Sequence, residues 1–108
     1  MKNIAVIGYG YWGPNLVRNI INHKDCHLKY ICEINPSYLI KARKEHMSVK
    51  TVVDYKEILK DKSIDAVFVA TPLDTHYKLA KDILNSKKNL FITKPTVQNC
   101  KQINKLID

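Results

Sequence analysis

The spacing of apolar residues predicts short buried strands alternating with amphipathic helices along the whole chain. β-branched and apolar runs predict five strands, at residues 4–7, 28–32, 49–53, 66–70 and 89–92. Apolar residues at helical spacing predict five helices, from 13 to about Asn22-His23, from Pro36, over 55–59, from Thr75 or His76, and from Thr96. Strict alternation of this kind predicts an α/β fold with an open parallel sheet and right-handed crossovers.

The helical periodicity also predicts which helix positions face the core. The expected inward residues are Leu16, Val17, Ile20 and Ile21, then Leu39, Ile40 and Ala42, then Leu79, Ala80, Ile83 and Leu84, and finally Val97, Cys100, Ile103, Leu106 and Ile107. The run 66–70 is apolar throughout, as expected for a central parallel strand covered on both faces. It stops at Thr71-Pro72, because proline cannot continue the ladder.

Three glycines lie between the first predicted strand and the first predicted helix. Gly8 permits a sharp turn, Gly10 lets the backbone approach a pyrophosphate, and Gly13 lets the helix pack closely on the strand. Pro14 is compatible with a first helical turn. Free N–H groups at a helix start face an anion, so this order of elements predicts a dinucleotide phosphate site in a doubly wound Rossmann fold.

An acidic residue stands where such a site needs one. Glu33 ends the second predicted strand, 20 residues beyond Gly13. Its carboxylate can accept both ribose hydroxyls of an adenosine and would repel a 2′-phosphate, which favours NAD over NADP. The alternative interpretation is a chance glycine cluster in a loop with Glu33 as a surface charge. The strand, helix and acid in register favour the cofactor site.

The other distinctive residues also follow strands. Thr71-Pro72 comes after the fourth predicted strand and Lys94-Pro95 after the fifth. Ligands of open parallel sheets bind beyond the carboxyl ends of the strands, so these residues are expected at the same edge as the glycine turn.

Composition limits the classes of protein. The 108 residues are 45% hydrophobic, enough for one core, so a single domain over residues 1–108 is expected. The formal net charge is +8, yet the cations are spread along the chain and only Arg18 and Arg43 are arginines. Base-reading surfaces use arginine, so no nucleic-acid partner is expected; a steep salt dependence of DNA affinity would mark that weaker alternative.

The cysteines and the start of the chain bear on disulfides and on location. Cys26, Cys32 and Cys100 form no Cys-x-x-Cys pair, and their odd number argues against a disulfide framework. Buried thiols are expected for Cys32 and Cys100, and no metal site is expected. No apolar run is long enough for a membrane span, and Met1 leads directly into a strand without a signal peptide, so a cytoplasmic location is expected.

Three motifs in order resemble one known family. The turn from Gly8 to Leu16, the run Ala70-Thr71-Pro72 followed by Thr75-His76, and Lys94-Pro95 together resemble the glucose-fructose oxidoreductase and inositol dehydrogenase (Gfo/Idh/MocA) family. The resemblance covers the family's N-terminal cofactor domain. It implies hydride transfer between a sugar or cyclitol hydroxyl carbon and NAD. The Tyr-Trp-Gly-Pro turn is most like that of members acting on nucleotide-linked sugars.

The resemblance also implies residue roles. Lys94 matches the lysine of the family's Glu-Lys-Pro motif and would take or relay the proton of the reacting hydroxyl. The implied cofactor-binding residues are Gly8, Gly10, Tyr11, Trp12, Gly13, Glu33, Thr71, Pro72, His76 and Lys94. For Lys94 the alternative is a solvated lysine at a strand end, and His76 is equally compatible with a polar helix start.

Two departures from the family pattern change the expectations. Thr93 stands where the family has Glu, which removes a carboxylate beside the lysine. The C-terminal substrate domain is expected to be absent, so the chain alone is not expected to turn over a sugar unless a second domain or chain completes the site. A bare sheet edge would favour self-association, including a homodimer. The alternative function is a non-catalytic nucleotide-binding or redox-sensing module.

Overall fold

A computed structural model describes residues 1–11, 13–70 and 76–92. It confirms the alternation of strands and helices. The described elements are β1 (Lys2–Ile7), α1 (Gly13–Ile21), β2 (Cys26–Cys32), α2 (Pro36–Glu45), β3 (Lys50–Val52), α3 (Lys56–Lys60), β4 (Ala66–Val69), α4 (His76–Asn85) and β5 (Asn89–Ile92). The helix predicted from Thr96, with Cys100, lies outside the described residues.

The strands form one parallel sheet in the order β3-β2-β1-β4-β5. One apolar cluster packs α1 and α2 against one face, and a second packs α3 and α4 against the other. The sheet is therefore doubly wound, and the predicted α/β Rossmann-type fold is confirmed. Strands β1 and β4 are buried on both faces: Ile4 and Phe68 on one face and Ala5 and Val67 on the other are each 0% exposed.

A bulge in β2 sets which side chains reach each face. Ile4 is paired with Leu28, but the next residue, Ala5, is paired with Tyr30, so Lys29 is an extra residue in β2. Leu28 and Ile31 consequently lie in the same apolar cluster, although strict alternation would put them on opposite faces.

Three helix positions predicted to face the core are wrong. Ile21 is 46% exposed, Ile40 51% and Leu84 60%. Each directly follows a buried apolar residue, and one residue is a rotation of about 100° round a helix, which carries the side chain off the buried stripe. No helix among the described residues is long and apolar enough to cross a bilayer.

At the amino edge of the sheet, Asp61 fixes the connection between α3 and β4. Its Oδ2 accepts a hydrogen bond from the Tyr30 hydroxyl at 2.8 Å and lies 2.7 Å from the ammonium of Lys29. Its Oδ1 accepts from the N–H and the hydroxyl of Ser63. These hydrogen bonds, with that of Lys29 largest, lower the pKa of Asp61 well below its usual range.

Candidate cofactor-binding site

The strand order reverses between β1 and β4, and this is where the glycine turn begins. β2 and β3 lie on one side of β1, whereas β4 and β5 lie on the other. The Ala70 N–H, directly after β4, donates to the Ile7 carbonyl at 2.8 Å, so the two central strands end side by side. In open α/β sheets a crevice for ligands opens at such a switch point.

The turn after β1 requires glycine at two positions. Gly8 has φ 107°, a conformation that residues with a Cβ rarely adopt. A Cβ on Gly13 would lie only 2.2 Å from the carbonyl oxygen of Gly8. Gly13, the first residue of α1, therefore packs directly on Gly8, the first residue after β1. The start of the helix faces the switch point.

Tyr38, in the first turn of α2, lies against the same turn. A Cβ on Gly10 would be 3.3 Å from Cε2 of the Tyr38 ring. Tyr38 is 43% exposed, whereas Tyr11 on the turn itself is 83% exposed. Tyr38 and Gly10 are distant in sequence, so their contact could not be predicted from local sequence patterns.

Glu33 lies beside the turn as a nearly buried carboxylate, 9% exposed. Its Oε1 accepts the Tyr9 N–H at 2.6 Å, and its Oε2 accepts the Asn35 N–H at 2.8 Å. An ionised carboxylate has about four acceptor positions, so each oxygen retains capacity for a further donor such as a ribose hydroxyl. Glu33 thus connects the glycine turn to the turn that starts α2.

The start of α2 is fixed by its cap. Asn35 occupies the N-cap position with extended backbone, and its Oδ1 accepts from the Ser37 N–H at 3.0 Å and the Ser37 hydroxyl at 2.7 Å. Pro36 occupies the first helical turn, where its missing N–H is not needed. The backbone next to Glu33 is therefore preformed.

Two exposed apolar side chains flank Glu33 in sequence and in the sheet. The Glu33 N–H donates to the Val52 carbonyl at 3.0 Å, so the ends of β2 and β3 are in register. The following residues, Ile34 and Val53, are 78% and 52% exposed. Exposed aliphatic groups beside a carboxylate offer apolar contact to a flat ring. Neither residue was among those predicted from the sequence.

Tyr9, within the turn, is a further residue that was not predicted from the sequence. It stands between Gly8 and Gly10, and its side chain is 1% exposed. Its hydroxyl donates to Oε1 of Glu45 at 2.5 Å and lies 3.0 Å from Nε2 of His46. Burial and then the Glu45 hydrogen bond raise the pKa of Tyr9.

The structure brings together only part of the predicted residue set. Gly8, Gly10, Tyr11, Gly13 and Glu33 lie at the carboxyl edge of β1 and β2. The first residue of α4 is His76. Trp12, Thr71, Pro72 and Lys94 lie outside the described residues.

The described side chains show no cluster typical of a metal site. Within residues 1–11, 13–70 and 76–92, no three His, Cys, Asp or Glu side chains group as metal ligands. Cys26 and Cys32 are buried free thiols. Burial is the largest cause that raises the pKa of Cys32, to about 12, and it also raises that of Cys26.

A doubly wound parallel sheet, a glycine turn at its switch point and an acid at the end of β2 define a dinucleotide-binding Rossmann domain. The sequence profile described as "Oxidoreductase family, NAD-binding Rossmann fold" (GFO_IDH_MocA) matches residues 2–108. The chain belongs to this family, which confirms the resemblance and the expectation of NAD.

Relatives of known name are similar over most of this chain. A myo-inositol 2-dehydrogenase of Thermotoga maritima is 30% identical over 97% of the chain and 31% of its own length. An alpha-N-acetylgalactosaminidase of Shewanella oneidensis is 30% identical over 93% of the chain and 24% of its own length. The chain therefore spans about a third or less of these relatives, which differ in their named activities.

A solved structure shares the fold. The scyllo-inositol dehydrogenase of Lactobacillus casei, crystallised with NAD(H) and scyllo-inositol, has a TM-score of 0.75 and 23% identity, covering 99% of this chain and 33% of that one. Together with the family match over residues 2–108, this identifies the chain as an NAD-binding domain of the oxidoreductase family.

Proposed function

We propose that the glycine turn and Glu33 bind the adenosine half of NAD. The N–H groups at the start of α1 face the pyrophosphate, because the first turn of a helix leaves them without intrahelical partners. The acceptor positions left on Glu33 take the ribose hydroxyls. The observation that carries the proposal is the Glu33 carboxylate, 9% exposed and hydrogen-bonded to the Tyr9 N–H of the turn.

The residues present fit the cofactor on physical grounds. A Cβ on Gly13 would collide with the Gly8 carbonyl, so only glycine at this position lets the start of α1 pack directly on the turn. Val53, directly after β3, and Ile34, directly after Glu33, supply exposed apolar surface near the end of β2. This surface suits the adenine ring.

We further propose the reaction of the enzyme to which this domain belongs. Bound NAD supplies a hydride acceptor for the hydroxyl carbon of a sugar or cyclitol. Lys94 takes the proton of that hydroxyl, a role supported by its match to the family's lysine and its place after β5. Thr71, Pro72 and His76 border the cofactor, and a second domain or chain supplies the substrate pocket.

The domain by itself should bind NAD and leave it oxidised. The relatives are about three to four times its length, and we propose that the additional part binds the polyol. Incubation of the chain with NAD and myo-inositol, followed by NADH absorbance, tests this. Accumulation of NADH would contradict the need for a second domain.

The binding proposal is tested by calorimetric titration with NAD, NADH and NADPH. The wild-type chain should prefer NAD forms, and Glu33→Ala should weaken NAD binding about tenfold, the usual scale for hydrogen bonds to a charged group. It should also narrow the preference for NAD over NADP, because the repulsion of a 2′-phosphate is lost.

Asp25→Ala is the matched control. Asp25 directly precedes β2, at the opposite end of the strand that Glu33 follows, and its loss changes the net charge equally. This variant should bind NAD like wild type. A folded wild-type chain without affinity for any of the three nucleotides, or an unchanged NAD to NADP ratio in Glu33→Ala, would contradict the assignment.

A further inference from the structure

Tyr9 connects the glycine turn to α2 through both its backbone and its side chain. The backbone N–H donates to Glu33 at the start of the β2–α2 turn. The side chain passes into the core and places its hydroxyl 2.5 Å from Glu45, the last residue of α2. Tyr9 is thus hydrogen-bonded at both ends of the segment from Glu33 to Glu45, which contains α2.

The hydrogen bonds at the hydroxyl fix the roles of its neighbours. A phenol has a single proton, and Tyr9 donates that proton to Glu45. The contact with Nε2 of His46 at 3.0 Å is therefore donated by the imidazole, with Nε2 protonated. The ring of His46 also meets that of Tyr9 edge-on, with centroids 5.8 Å apart.

The position of this group explains why it matters for the turn. Tyr9 is flanked by Gly8 and Gly10, which restrict the backbone little by themselves. Conformational freedom of two glycines would spread the orientations of the N–H groups that follow. A side chain 1% exposed and hydrogen-bonded at its tip removes that freedom from the residue between them.

We propose that Tyr9 is a positioning residue of the phosphate-binding turn, acting through its hydrogen bonds to Glu45 and His46. The inference rests on the proposed binding of the dinucleotide at this turn. Tyr9 itself does not touch the cofactor through its side chain, which points into the core. Its hydroxyl group orders the backbone that does.

The test compares two tyrosines that differ in place but not in chemistry. Tyr9→Phe removes the hydroxyl that contacts Glu45, and Tyr30→Phe removes the hydroxyl of another buried tyrosine, bonded to Asp61 at the amino edge. Both variants should lose stability. Only Tyr9→Phe should weaken NAD binding, by about tenfold, the scale of one hydrogen bond to a charged group.

A pair of variants at Glu45 separates positioning from packing. Glu45→Gln keeps an acceptor for the Tyr9 hydroxyl and should bind NAD more tightly than Glu45→Ala. Combining Glu45→Ala with Tyr9→Phe should weaken binding little beyond either change alone, because both remove the same hydrogen bond. Full additivity would contradict the coupling.

Amide hydrogen exchange gives a second readout that needs no cofactor. In Tyr9→Phe the N–H of residue 9, which donates to Glu33, should exchange faster than in wild type, whereas Tyr30→Phe should leave it unchanged. Where wild type binds NAD, equal affinities of the two variants overturn the inference. A folded wild-type chain without NAD affinity contradicts the proposed function instead. In that case, equal exchange rates of the residue 9 N–H in wild type and Tyr9→Phe overturn the inference.

Discussion

At Gly13 the chain has no space for even one methyl group. A Cβ there would lie 2.2 Å from a backbone oxygen, which cannot rotate away as a side chain can. We expect Gly13→Ala to lower the free energy of unfolding by about 2–3 kcal/mol, in the range of overpacked cores. Urea denaturation followed by circular dichroism measures this.

Gly10→Ala is the internal comparison for that prediction. Its Cβ would meet the Tyr38 ring at 3.3 Å, and this partly exposed side chain can move by a few tenths of an ångström. The loss of stability should therefore be clearly smaller than for Gly13→Ala. Equal losses would mean that the contact with Gly8 is relieved by movement of α1.

Among the elements, α3 and α4 are connected by a hydrogen bond from Tyr55 to Asp82. This hydrogen bond, and then burial, raise the pKa of Tyr55 to about 12. A raised pKa in the folded state stabilises the fold below the unfolded value of about 10. That stabilisation is lost as the pH rises through about 12.

Tyrosinate absorbance and thermal unfolding between these pH values test the connection. Tyr55→Phe should remove one late-ionising tyrosine and make stability depend less on alkaline pH. Asp82→Asn should let Tyr55 ionise earlier, since the carboxylate is gone while an acceptor remains. A Tyr55 that ionises at the same pH with and without the carboxylate would contradict this cause.

The sequence predicted the elements well because periodicity reflects burial on one face. It placed Pro36 at the start of α2 and bounded β5 as the structure does. It did not reveal the bulge at Lys29, since an extra residue in a ladder depends on the partner strand. Ile21, Ile40 and Leu84 were misplaced because hydrophobicity alone does not locate the edge of a buried stripe.

At the site, local signals were visible and distant ones were not. The glycines and Glu33 follow from spacing along one βαβ unit. Tyr9 meets Glu45 across 36 positions and Tyr38 meets Gly10 across 28, so only folding brings these pairs together. The position of Ile34 and Val53 near Glu33 follows from the register of β2 and β3, which the sequence did not show.

For the whole molecule, stability should fall from the centre of the sheet to its β3 edge. β1 and β4 are buried on both faces, whereas β3 has three residues and, within residues 1–11, 13–70 and 76–92, one strand neighbour. Amides of β1 and β4 should exchange only on global unfolding, and those of β3 through local opening. Exchange at several urea concentrations distinguishes the two, because only global unfolding depends steeply on denaturant.

The side-chain hydrogen bonds described between the glycine turn and Glu33, Glu45 and His46 all come from the β2–α2 side of the switch point. Thr71, Pro72 and Lys94, proposed for the reacting end, follow β4 and β5 on the other side. The proposed binding site for the adenosine half of NAD would thus be separate from the residues proposed for the reaction. Substitutions in the β4–β5 half would then alter which substrate is oxidised. Binding of the adenosine half, including binding of free ADP-ribose, would be retained.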